Sequence, residues 1–112
     1  MGSAERRSDS LLRAVVEALQ QEGYTLVDRG SAEKSNSALF HRERTDASTY
    51  AEEFVLVTHE SARHSLRADL YRADVPGGES RPGRTVYEYY HPYHKDNLAD
   101  IARALAARVA GR

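Results

Sequence analysis

Residues 52–59 read EEFVLVTH and residues 64–73 read HSLRADLYRA. The first run is apolar at four consecutive positions, Phe54 to Val57, and so on both of its faces, which suits a central strand. The second alternates. Leu66, Ala68 and Leu70 point one way, while Arg67, Asp69 and Tyr71 point the other, as in a strand buried on one side only. The short link Ser61-Ala62-Arg63 makes the two runs antiparallel neighbours.

Working outward, residues 38–44 (ALFHRER) form a further strand, with Ala38, Phe40, Arg42 and Arg44 on one face and Leu39, His41 and Glu43 on the other. Residues 45–50 read as a turn and 30–37 as a polar loop. Residues 24–28 (YTLVD) are a short β-prone run. On the other side, the Gly- and Pro-rich stretch 74–84 (DVPGGESRPGR) predicts a hairpin loop, and 85–91 (TVYEYYH) an aromatic strand that Pro92 ends.

A helix flanks the strands at each end. Over residues 9–22, Leu11, Leu12, Val15, Val16 and Leu19 fall within an arc of ~140° at the helical period. Ser8 or Ser10 is the expected cap, and Gly23 the expected left-handed terminator. Over residues 96–110, Leu98, Ile101, Leu105 and Val109 lie within ~80° of one another. Asn97 is the expected N-cap, with Asp96 the alternative, and Gly111 the terminator. Each helix has one apolar stripe, and both stripes are most simply buried side by side on one face of the sheet. The predicted fold is α+β: an antiparallel sheet of four to five strands with the N- and C-terminal helices on one face, α-β-β-β-β-α, as a two-layer sandwich. Residues 9–112 make one domain behind a disordered tail at 1–8.

Composition narrows the chemistry. With no cysteine among 112 residues, disulfides, thiol nucleophiles and thiolate zinc sites are excluded. There is no apolar run of about 18 residues and no signal-peptide pattern, so the expectation is a cytoplasmic protein without membrane contact. The net charge of −1 hides an acidic half, 1–56, and a mildly basic half, 57–112. A dedicated nucleic-acid binder normally carries a basic excess.

The most unusual segment is Tyr87-Glu88-Tyr89-Tyr90-His91-Pro92-Tyr93-His94. His91 and His94 do not have the spacing of a zinc signature, and no partner ligand is fixed beside them, so no metal or other cofactor is assigned. Asp69 and Glu88 lack the acidic-x-Lys pattern of magnesium-dependent nucleases, and no G-x-S-x-G elbow or phosphate-cradling glycine loop occurs. No motif assigns the chain to a family, and no enzyme is expected. Tyrosine offers large contact area at low entropy cost with a polar tip. The expected function is therefore a small non-catalytic protein-binding module of inhibitor, antidote or adaptor type. Its expected surface is an open sheet face carrying Arg67, Tyr71, Tyr87, Tyr89 and His91 around Val55 and Val57. The open face also fits a homodimer. The alternative is nucleic-acid binding by stacking tyrosines and a hairpin cluster of Arg63, Arg67, Arg72, Arg81 and Arg84.

Overall fold

The chain runs α1 (Ser3–Gln21), β1 (Thr25–Ala32), β2 (Ser35–Glu43), β3 (Glu52–Glu60), β4 (Ser65–Ala73), β5 (Arg84–Tyr90) and α2 (Leu98–Val109) in the computed structural model, which describes residues 3–32, 35–43, 50–60, 65–90 and 97–111. The strands form one antiparallel sheet in chain order, with β3 in the middle. Both helices lie side by side on one face of that sheet, α1 against β1 and β2, α2 against β4 and β5. This is the predicted two-layer α+β sandwich, with five strands. No helix among the described residues is long and apolar enough to cross a membrane.

The core lies between the layers. Leu11, Leu12, Val15 and Leu19 of α1 and Ile101, Leu105 and Val109 of α2 meet Phe40 of β2, Val55 and Val57 of β3, and Leu66 and Ala68 of β4. Burying one such leucine contributes about 1.5–3 kcal/mol. Ala102 and Ala106 are buried as well, and these small side chains let α2 sit close to its neighbours. The Asn97 side chain accepts a hydrogen bond from the Ala99 amide at 2.8 Å, capping α2 as its position predicts.

Several boundaries differ from the sequence reading. Helix α1 begins at Ser3, so it runs into the segment expected as a tail, and neither Ser8 nor Ser10 caps it. Ala4, Glu5, Arg6 and Arg7 are good helix formers, but the apolar rhythm that reveals a helix starts only at Leu11. The expected loop at 30–37 is mostly strand. Arg29 pairs with Ala38, Gly30 with Ser37, Ser31 with Asn36 and Ala32 with Ser35. Backbone pairing holds this hairpin arm, against the low strand propensity of its side chains. The expected turn at 45–50 and link at 61–63 fall outside the described residues, except for Tyr50. Edge strand β1 also carries an irregularity between Leu26 and Asp28, which leaves Val27 exposed.

Gly23 ends α1 as its position predicts. Its φ is +96°, the Tyr24 amide donates to the Leu19 carbonyl at 3.0 Å, and the Gly23 amide donates to that of Gln20 at 3.1 Å. These two bonds define a Schellman termination, which needs a left-handed residue at this position. Gly23→Ala should therefore lower stability by about 1–2 kcal/mol, read as a drop in the urea midpoint with an unchanged m-value. A midpoint equal to wild type would show that the left-handed turn carries no such cost.

Candidate functional site

Strand alternation divides the sheet into a covered and an uncovered face. Val55 and Val57, expected on the open face, are fully buried beneath the helices. The uncovered face of β3 instead carries Phe54, Leu56 and Thr58, all half-buried. The strand register then sets three rows across this face. His41, Phe54 and Tyr71 form one; Leu39, Leu56, Asp69 and Thr85 a second; Thr58, Arg67 and Glu88 a third. The His41 and Phe54 rings lie 4.8 Å apart, tilted by 41°. Asp69 is buried, with one carboxylate oxygen accepting from Arg67 Nε at 3.0 Å and the other from the Thr85 hydroxyl at 2.6 Å. Large apolar side chains thus occupy the middle of an uncovered face, and polar pairs border them.

The five predicted site residues do not share this surface. Arg67 and Tyr71 lie on it, as expected. Tyr87 and Tyr89 stand opposite the core-facing residues Ala68 and Leu66 and pack against the core from the helix side. Their rings are nearly parallel, 6.4 Å apart. The reason is parity: a register shift at Ala68/Asp69 puts Thr85 opposite Asp69, and beyond it Glu88 takes the open side, opposite Arg67. Tyr87 instead lines a groove of about 650 Å³ between β5 and α2, with Val86, Ala104, Ala107 and Arg108. His91 lies outside the described residues, as do His94 and Arg63.

The covered face holds a site that was not singled out in the sequence. Glu53 is 1% exposed and shares the helix side with Val55 and Val57. Its carboxylate accepts hydrogen bonds from the Tyr24 hydroxyl, from Arg42 at 2.9 Å and from Arg72 Nε at 3.1 Å. The Arg42 guanidinium lies 4.4 Å from the centre of the Tyr24 ring and that of Arg72 4.2 Å from the centre of Tyr50. Arg42 also donates to the Glu22 carbonyl at the end of α1, at 3.2 Å. Burial by itself would raise the Glu53 pKa. The hydrogen bonds from Tyr24, Arg72 and Tyr50 and the charge of Arg42 outweigh it and hold the carboxyl below its ordinary range. The Tyr24 hydroxyl moves the other way, raised by burial and by the neighbouring carboxylate. The sequence signal was available: Glu53 lies two residues before Val55, so it shares the inward face.

One cluster has the donor set for a metal. His41, Glu43 and Glu52 place ligand atoms within 4.8 Å of one another. Two of the three are already engaged: His41 Nε2 is 3.1 Å from Glu52 Oε1, and Glu52 Oε2 accepts from the Gly77 amide at 3.0 Å. That amide and His41 lower the Glu52 pKa. The geometry is that of a local hydrogen-bonded pair. The chain matches no protein-family model, no curated protein and no solved structure.

Because the folded-state pKa of Glu53 is depressed, its network contributes stability above the ordinary carboxylate range. That contribution is lost as pH falls through that range and below it. Glu53→Gln should cost about 2–3 kcal/mol at pH 7, below the usual 3–5 for a broken buried pair because both arginines keep some solvent contact. It should also flatten the acid limb of a plot of Tm against pH. An acid limb as steep as that of wild type would exclude Glu53 as its source.

Proposed function

We propose that this chain is a non-catalytic binding module that recognises another protein through the uncovered face of its sheet. The observation that carries this reading is the strip formed by Leu39, Leu56, Phe54 and Tyr71, large apolar groups half-exposed in the middle of a sheet that the helices leave bare. Contiguous apolar surface of this kind marks interaction sites. Aromatic centres with a polar border are the usual anatomy of an interface. Arg67 and Asp69 are fixed to each other at the border of the strip, where they set orientation more than affinity. Tyr71 is the aromatic anchor retained from the sequence reading. Tyr87 and Tyr89 belong to the support of the sheet, since they pack against the core.

A photocrosslinking residue at Phe54 should capture one discrete species in extracts of the source organism, and Leu56→Arg should abolish that capture while thermal unfolding stays cooperative. The same crosslinker at Arg13, exposed on α1, should not capture it. Equal yields from both positions would overturn the reading.

A further inference from the structure

Strand β4 ends at Ala73 and the chain returns at Arg84. The loop between them folds back onto β4. The Arg81 amide donates to the Arg72 carbonyl at 2.7 Å, and Ser80 forms a bridge with Ala73. This brings three arginines together: Arg72, Arg81 and Arg84, with Leu70 and Pro82, line a cleft of about 150 Å³. Leu70 and Arg72 are on the helix side of the sheet, so the cleft is separate from the uncovered face.

Like charges gathered in one cleft repel unless counter-charges balance them. Two of the three are paired within the chain. Arg72 gives its Nε to Glu53 and stacks on Tyr50, and Arg81 is held by Asp74 through two nitrogens, one of them Nε at 2.8 Å. Arg84 makes no hydrogen bond, ion pair or ring contact among the described residues. The terminal nitrogens of Arg72 likewise make none. The cleft therefore holds one unpaired guanidinium, on a backbone that pairing with Leu70 holds in place, and spare donors on Arg72. Pro82 stiffens the loop, and Gly83 lets it press on Tyr71: a Cβ at position 83 would come within 2.2 Å of that ring. The Arg72 donors, held by Glu53 and Tyr50, spare a ligand part of the cost of ordering its contacts.

We propose that this cleft binds a single phosphate group, either the free ion or the terminal group of a small phosphomonoester. The planar fork of arginine matches two phosphate oxygens at once, and charge-assisted bonds of this kind are the strong ones. The volume is that of roughly five water molecules at about 30 Å³ each, enough for a phosphate. A continuous polyanion is disfavoured by Asp74 and Glu79 on the same loop and by the chain's net charge of −1.

The test is a titration of the full chain with inorganic phosphate at low ionic strength, followed by amide chemical shifts. Saturable shifts are expected around Arg72 and 81–84. Arg84→Ala should weaken binding about tenfold or more. Arg84→Lys should recover only part, because an ammonium lacks the fork. Arg103→Ala, on exposed α2 surface, should bind like wild type. Competition with glycerol phosphate separates the two sources: tighter binding than phosphate points to a monoester, weaker binding to the free ion. No saturable shift up to about 10 mM, or binding unchanged in Arg84→Ala, would overturn the proposal. So would an oligonucleotide whose affinity rises steadily with its length.

Discussion

Alternation along β3 is the constraint from which the rest of the molecule follows. Two helices need apolar sheet surface beneath them, and Val55 and Val57 supply it at the centre. A strand cannot turn two residues inward without turning inward those at the same spacing on either side. Glu53 is thereby carried to the helix side at one end of β3, and His59 at the other. A buried carboxylate without partners costs far more than a strand end contributes. Four elements respond to it. Tyr24 reaches it from the end of α1, Arg42 from β2, Arg72 from β4, and Tyr50 from the segment before β3. Arg42 adds a bond to the last turn of α1, where a cation also meets the negative end of the helix dipole. A side chain inward by parity alone thus fixes where α1 stops relative to the sheet.

The two faces consequently reverse the usual distribution of polarity. At the Glu53 end, the covered face carries charge, paired and hydrogen-bonded within the chain. The uncovered face carries Phe54, Leu56 and Leu39 with no helix above them among the described residues. Antiparallel sheets commonly expose a polar face, so apolar residues at the middle positions need a different account. Three such groups half-removed from water leave apolar area that a partner would complete at about 25 cal/mol per Å². On the same face, both oxygens of the Asp69 carboxylate are already occupied. A partner covering Asp69 would leave those two bonds in place and so face little desolvation penalty at that residue.

Most of this architecture was legible in the sequence where one period dominates. The apolar rhythm of Leu11 to Leu19, the clean alternation of Leu66 to Tyr71 and the cap at Asn97 all lie as the pattern predicts. It was less legible where backbone pairing acts against propensity, as at Gly30 to Ala32 and Asn36. It also failed where a register shift reassigns faces. With the shift at Ala68/Asp69, Tyr87 and Tyr89, expected on the open face, go to the helix side. Glu53 was missed for a different reason. A charged pair at a strand's start, Glu52-Glu53, looks like solvated surface, yet only Glu52 lies on the uncovered side.

The arginine cleft is the far edge of the same parity. Glu53 already accepts from Tyr24, Arg42, Arg72 and Tyr50, which takes up its acceptor positions, and its single charge is shared by two guanidiniums, so it cannot also balance Arg84. Asp74 is already taken by Arg81. The excess positive charge is therefore displaced from the buried row to the hairpin, where it meets solvent. That hairpin rests on the sheet through Gly83, against the Tyr71 ring on the opposite face. The uncovered strip and the cleft thus share one mechanical support. A larger residue at position 83 would have to displace the Tyr71 ring or lift the loop, and lifting the loop would carry Arg84 away from Arg72.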